Sequence, residues 1–332
     1  MKYTTLGHSD LNVSRLCLGT VFRSGVDEST CLASIDEAAS LGCNYLDCAN
    51  IYRKGFSEKI VGKAVRGRRD QFVISTKVGA QTDGGPAEGG GLSRDAIVKA
   101  IEESLKRLAT DHVDTYLCHF PDDQTPIEET LRAMDDLVRQ GKIRYPACSN
   151  FEGWRVCEAL NVSQHDGLAA FVCNQIQYGL LSRHPEQEVI SFCQRRNVAI
   201  TVYATTAIGL LSGRYRYGQP PPPNTSWHRG PYNYRVAMTP RIDQLIQALV
   251  DIAGRHGNTP TQMAMAWCLK IPGVTSVIIG ADTPERVREN WKAIDIQIGD
   301  EEMARLDELS SGHEVVIRKD CPQGWQDSET GK

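Results

Sequence analysis

Four residues that together can move a proton stand at the ends of short apolar runs. Asp47 and Tyr52 follow Asn44-Tyr45-Leu46, Lys77 closes Phe72-Val73-Ile74-Ser75-Thr76, and His119 closes Val113-Asp114-Thr115-Tyr116-Leu117-Cys118. An ordinary tyrosine, with a pKa of about 10, is a poor proton donor near neutrality. A neighbouring ammonium stabilises the phenolate and makes the phenol a stronger acid. Lys77 can be that ammonium, and a carboxylate such as Asp47 would keep it charged and aimed. His119 has no second His or carboxylate at ligand spacing, and Asp122 lies beyond a proline, so no metal is expected there. It can instead orient a carbonyl by hydrogen bonding. Such a set would protonate a carbonyl oxygen while hydride arrives at carbon.

Polar groups at several strand ends converge only if the strands share one sheet. Val/Ile/Leu/Cys-rich runs fall at residues 15–18, 43–46, 72–76, 113–118, 143–148, 171–174, 198–203 and 274–278, with amphipathic segments between them. Residues 93–108 are one such segment, with Ile97, Ala100, Ile101, Ser104, Leu105 and Leu108 on one face and Ser93 as the cap. Eight strands with crossover helices make a closed parallel barrel or a long open sheet. Barrel enzymes place their chemistry at successive strand ends, which favours the barrel. Residues 2–13 read as a β-hairpin around Gly7-His8-Ser9-Asp10, outside the barrel count and covering its floor. The expected fold is thus a single (β/α)8 TIM barrel domain over residues 1–332.

The formal charge of −4, without a clustered Lys/Arg tract, argues against nucleic-acid or membrane-surface partners. Eleven cysteines without a Cys-x-x-Cys pair suit a reducing compartment. No apolar stretch approaches the roughly 20 residues that span a bilayer, and no signal-peptide order opens the chain, so a cytoplasmic protein is expected. Residues 79–91 and 214–239 read as loops; the glycines of the first do not form a dinucleotide fingerprint.

The opening Lys2-Tyr3-Thr4-Thr5-Leu6-Gly7 and Leu11-Asn12-Val13-Ser14-Arg15-Leu16-Cys17-Leu18-Gly19-Thr20 resemble the start of the aldo-keto reductases. So, in family order, do Leu46-Asp47 to Tyr52 with Gly55-Phe56-Ser57-Glu58, His119-Phe120-Pro121-Asp122, Gly141-Lys142-Ile143-Arg144-Tyr145 and Ser149-Asn150-Phe151. Asn174-Gln175, Gly209-Leu210-Leu211-Ser212-Gly213, Ile279-Gly280-Ala281-Asp282-Thr283-Pro284-Glu285 and Glu289-Asn290 complete the series.

The resemblance implies an NAD(P)H-dependent oxidoreductase acting on a small carbonyl or alcohol, with Tyr52 as general acid and base. Ser149, Asn150 and Gln175 would bond the nicotinamide carboxamide, and Tyr203 would stack on its ring. Gly19 and Thr20 would border the coenzyme, with Thr205, Thr206, Gly209 and Leu211 along its pyrophosphate and Gly280, Asp282, Arg286 and Asn290 at its adenosine end. Asp282 would repel a 2′-phosphate, whereas Arg286 would clamp one or ion-pair with Asp282 at i,i+4. NADP is favoured on family frequency, with NAD open. Phe22, Arg23, Tyr52, Arg53, His119 and Phe120 form the expected substrate set, and the cations Arg23, Arg53 and Lys54 suit an anionic or sugar-derived substrate. Residues 214–239 and 311–332 are expected to close over the substrate mouth. Two other readings stand beside this one: a redox-neutral or dehydrogenase relative acting on sugars with retained cofactor, and a cofactor-binding regulatory subunit. Self-association is left open.

Overall fold

Strands covered by protein on both faces are nearly continuous in apolar residues, and this chain has eight such runs. A computed structural model describes residues 1–23, 25–80, 91–229, 233–280 and 282–312. Strands β1 (Tyr3–Thr5) and β2 (Asn12–Ser14) pair antiparallel. The eight apolar runs become β3 (Leu16–Gly19), β4 (Tyr45–Asp47), β5 (Val73–Val78), β6 (Val113–Cys118), β7 (Ile143–Ser149), β8 (Cys173–Gln177), β9 (Ala199–Tyr203) and β10 (Val274–Gly280). They close into a parallel barrel in the order β10-β3-β4-β5-β6-β7-β8-β9. The (β/α)8 barrel with its N-terminal hairpin is the architecture the sequence predicts. Among the described residues no helix is long and apolar enough to cross a membrane.

The hairpin lies at the end of the barrel where the strands begin. Gly7 sits in the left-handed region at φ +59, and a Cβ there would stand 2.2 Å from the Val172 carbonyl oxygen and 2.9 Å from the Ala199 nitrogen. Only glycine meets both demands. Asp10 at the turn accepts from Arg144 (2.8 Å) and from the Tyr145 hydroxyl (3.0 Å), both on β7. Arg144 also reaches the buried Asp114 of β6 (3.0 Å), which takes Arg69 as well (2.7 Å). The Gly-Lys-Ile-Arg-Tyr motif thereby fastens the floor.

Helices α1 (Glu28–Ser40), α2 (Phe56–Ala64) and α3 (Arg94–Leu108) follow β3, β4 and β5. Ser93 caps α3 by accepting from the Ala96 N–H, and the whole predicted face from Ile97 to Leu108 is buried. Between α2 and α3 the backbones touch: a Cβ on Gly62 would lie 2.2 Å from the Leu108 carbonyl oxygen. Gly62→Ala is therefore expected to lower unfolding free energy by about 1–3 kcal/mol, the range for overpacking a close contact. Urea denaturation checks this; an unchanged midpoint would show that the helices part freely.

By internal contacts the chain divides into two compact units. The first comprises Met1–Ile176, Gln187–Thr201 and Gly273–Trp291, and holds the hairpin and the barrel strands except the last residues of β8 and β9. The second comprises Gln177–Glu186, Val202–Pro272 and the chain from Lys292. Inside it Arg183 bonds Glu186 (2.7 Å) and Asp307 (2.9 Å), and Trp267 Nε1 donates to Asp307 (3.2 Å).

The expected loop at 214–239 contains two short helices, Ser226–Arg229 and Tyr234–Ala237. Its aromatic side chains are spent largely on packing. Tyr215, Trp227 and Tyr234 are buried, with the Tyr215 and Tyr234 rings 5.8 Å apart and Trp227 Nε1 donating to the Ala207 carbonyl (3.1 Å). Tyr217 is exposed. Tyr232, residues 81–90 and the expected tail beyond Gly312, with Cys321 and Trp325, lie outside the described residues.

Candidate active site

Strand register decides which side chains meet. Asp47 pairs with Ser75 across β4 and β5, and Lys77 lies two residues beyond Ser75, on the same face of the pleat. The Lys77 ammonium is fully buried, and its three donors are all used: Asp47 Oδ2 at 2.7 Å, the Cys48 carbonyl at 2.8 Å and Tyr52 Oη at 3.2 Å. Burial alone would depress Lys77, but Asp47 and Tyr52 outweigh it and hold the ammonium above its ordinary range.

The network continues around the barrel mouth. Gln175 Nε2 at the end of β8 donates to Asp47 Oδ1 (2.9 Å). Ser149 Oγ at the end of β7 donates to the Gln175 carbonyl (2.8 Å). Asn150, in the left-handed region at φ 61, donates from Nδ2 to Ser149 Oγ and to the His119 carbonyl, each at 3.0 Å. The His119 ring stands edge-on to Tyr52 with centroids 5.9 Å apart and stacks on Phe120 at 4.8 Å. The predicted quartet and the three predicted amide binders thus form one continuous set. Asp47 bonding to Gln175 and Lys77 bonding to the Cys48 carbonyl were not legible in the sequence, because the resemblance assigns Gln175 to the coenzyme alone and a backbone carbonyl carries no side-chain signature.

Burial pushes the Tyr52 phenol above its ordinary value of 10, and Lys77 pulls the other way without prevailing. Lys77 acts on the phenol in the direction the sequence predicts, but burial, which the sequence did not weigh, is the larger effect. The reason is desolvation, which penalises phenolate before any partner acts. His119 is held neutral: burial first, then the Lys77 ammonium, drive its pKa well below the usual imidazole value. Its Nδ1 is buried without a partner, and neither ring nitrogen bonds any of the described residues. The ring is thus free to serve a ligand.

Around this set the predicted residues divide. Gly19 ends β3, and Thr20 Oγ1 donates to the Asp47 carbonyl (2.8 Å) and meets Ser57 Oγ (2.7 Å). Glu58 of the same motif is wholly buried, accepting from Thr76 (2.6 Å) and paired with Arg107 of α3. Phe22 is buried. Gly280 ends β10, and Asn290 is buried near the end of the helix Pro284–Trp291. Tyr203, Thr205, Thr206, Gly209 and Leu211 belong to the second unit. There Thr206 Oγ1 accepts from the Gly209 N–H (3.3 Å) and its carbonyl from the Leu211 N–H (3.2 Å).

The expected i,i+4 pair between Asp282 and Arg286 does not form. Asp282 precedes its helix and so does not share a helical face with Arg286. It takes instead the Arg23 main-chain N–H (3.0 Å) and the Arg23 guanidinium. Arg286 is exposed. Arg53 is also engaged elsewhere, with its guanidinium 3.9 Å above the centre of the Phe56 ring and Nη1 donating to the Val26 carbonyl (3.1 Å).

A closed (β/α)8 barrel thus carries a buried Lys–Asp pair, a phenol and a neutral imidazole at its strand ends. The Aldo/keto reductase family model matches residues 15–311, and the chain belongs to that family and to its NAD(P)-dependent oxidoreductases. It is 33% identical over 329 residues to "Uncharacterized oxidoreductase YrpG" of Bacillus subtilis, covering 94% of this chain and 97% of the other. It is 34% identical over 307 residues to a probable voltage-gated potassium channel subunit beta of Arabidopsis thaliana, covering 89% and 92%. A putative subunit of the same name from Schizosaccharomyces pombe is 34% identical over 324 residues, covering 93% of each.

Proposed function

We propose that the protein reduces a carbonyl compound, and reversibly oxidises the alcohol, with Tyr52 as the group that gives and takes the proton. The observation that carries this reading is the Lys77 ammonium, fully buried and with all three donors engaged, one of them to Tyr52 Oη at 3.2 Å. A phenol with a raised pKa holds its proton through neutral pH, as an acid must, and Lys77 favours the phenolate left after transfer. Asp47 keeps Lys77 charged. His119, neutral, would donate a hydrogen bond to the carbonyl oxygen and place it beside Tyr52 Oη.

The donor set fits a nicotinamide coenzyme. Gln175 Oε1 bonds none of the described residues while its Nε2 is spent on Asp47, so the oxygen can accept from a carboxamide N–H. Ser149 and Asn150 would hold the same amide, and Asn290 the adenine. The coenzyme, when bound, supplies the hydride. We favour NADP(H): Arg286 is an exposed cation, and Arg23 already answers the charge of Asp282. Arg286→Ala is expected to weaken NADPH by about 1–3 kcal/mol, the scale of a lost charged hydrogen bond, and to leave NADH unchanged. Fluorescence titration with both coenzymes checks this, and equal effects would show that Arg286 meets no phosphate.

NADPH consumption with a general aldehyde by the purified protein tests the function itself. The names of the Arabidopsis and Schizosaccharomyces relatives favour a second reading, a coenzyme-binding regulatory subunit. Tight NADPH binding with no turnover across a carbonyl panel would select it.

A further inference from the structure

Gln175 has one planar amide and two neighbours to serve with it. Its Nε2 donates to Asp47 Oδ1 at 2.9 Å, and both residues are buried, so water does not compete for that bond. An ionised carboxylate only accepts hydrogen bonds, which obliges the nitrogen of Gln175 to face Asp47 and leaves Oε1 on the other side of the amide. The backbone is fixed as well. Gln175 pairs with Ser149 across β7 and β8, and its carbonyl accepts from Ser149 Oγ (2.8 Å) and from the Asn150 N–H (2.9 Å). The side chain is thus held at both ends in one orientation.

Asp47 passes this contact on to Tyr52. Its Oδ2 takes the Lys77 ammonium at 2.7 Å, and that ammonium reaches Tyr52 Oη at 3.2 Å. Beyond burial, which comes first, Lys77 lowers and Asp47 raises the proton affinity of the phenol. The other titratable neighbours add no charge: the Cys48 thiol, driven up by burial, stays protonated, and His119 is neutral. Arg53 is stacked on Phe56 and bonded to the Val26 carbonyl, and Lys54 is exposed, where solvent and salt screen it. The phenol therefore answers to the balance between Asp47 and Lys77. The Gln175 N–H weighs on that balance, because it shares the charge of the carboxylate.

We propose that Gln175 is a positioning residue that couples the proton donor to the coenzyme amide: Asp47 sets which end of the Gln175 amide the coenzyme meets, and Gln175 in return tempers the charge that Tyr52 feels. This deepens the proposed function and rests on its assignment of Tyr52 as the acid. The first test needs no coenzyme. Tyr52 is replaced by 3,5-difluorotyrosine, an intrinsically more acidic phenol that titrates while Lys77 stays charged, and its fluorine resonance is followed against pH. Gln175→Met keeps the length of the side chain and removes the donor, so the titration midpoint should rise by at least about 0.3 pH unit. A residue that only fills space would leave the midpoint where it was.

The second test compares, by calorimetry, the binding of NADP+ and of its acetylpyridine analogue, in which a methyl ketone replaces the carboxamide and no N–H remains. Wild type is expected to bind NADP+ at least about tenfold more tightly, because the ketone leaves Oε1 without a donor. In Asp47→Asn the partner both gives and accepts, Gln175 can present either end, and the preference should fall at least about threefold. The double variant Asp47→Asn/Lys77→Met gives the same comparison without a stranded ammonium. A Gln175→Met midpoint equal to that of wild type overturns the hold on Tyr52. A coenzyme preference untouched by Asp47→Asn overturns the control by Asp47, as does failure of wild type to bind either coenzyme. Neither measurement needs turnover, so a wild type that reduces no carbonyl would lose the proposed function while the inference is still decided.

Discussion

Tyr52→Phe should lower turnover by about 10²- to 10⁴-fold, the span assigned to a positioned proton donor, with NADPH affinity changed less than about twofold. The phenol acts only as the carbonyl oxygen takes up charge, whereas the proposed coenzyme contacts run through Gln175, Ser149 and Asn150. The pH profile gives an independent reading. The reducing direction needs phenol, and burial holds Tyr52 above its ordinary 10. Reduction should therefore stay level through neutral pH and fall only above about 10. Steady-state kinetics with a general aldehyde and NADPH checks both. A variant keeping more than a tenth of wild-type turnover would take Tyr52 out of the acid role, and loss of coenzyme binding would place it in the wrong site.

Asp47→Asn is expected to cost about 3–5 kcal/mol of stability, because it leaves the Lys77 ammonium buried without its carboxylate. The Lys77 side chain is 0% exposed and that of Asp47 3%, so solvent cannot stand in for the lost partner. The double variant Asp47→Asn/Lys77→Met should recover much of that loss, since it removes the stranded charge. The alkaline limb carries the sign. The folded pKa of Lys77 is raised above its unfolded value of 10.5, so the pair's contribution is complete below that pH. It is then lost as pH rises through the folded value. Wild type should consequently lose stability above about pH 10 more steeply than Asp47→Asn, as followed by urea denaturation across pH. A single-variant cost under about 1 kcal/mol would mean that water reaches Lys77 after all.

What could be read in the linear chain was what local physics determines. Period and composition mark the eight strands, because a strand buried on both faces must be apolar throughout, and the Ser93 cap with its buried stripe marks α3. The candidate quartet was legible because barrel strand ends share one mouth, so residues closing separate apolar runs are brought together by topology alone. Arg23 and Arg53 were legible as cations, but their engagement with other groups was not. The partner of Arg23 is Asp282, 259 residues away, and that of Arg53 is a carbonyl 27 residues away, which carries no side-chain signature.

The same holds for the aromatic residues at 214–239. Their number was plain, but the packing of Tyr215 on Tyr234 and the bond from Trp227 to the Ala207 carbonyl carry no local sequence signature. Nor could the sequence weigh Tyr52. It placed Lys77 beside the phenol, and only burial, a property of everything packed around it, made desolvation the larger effect. By itself the sequence determined the barrel and which residues close its strands, since periodicity and strand-end position are local. Tertiary structure decided which of the described charges pair with one another, because pairing and desolvation depend on distances between residues remote in the chain.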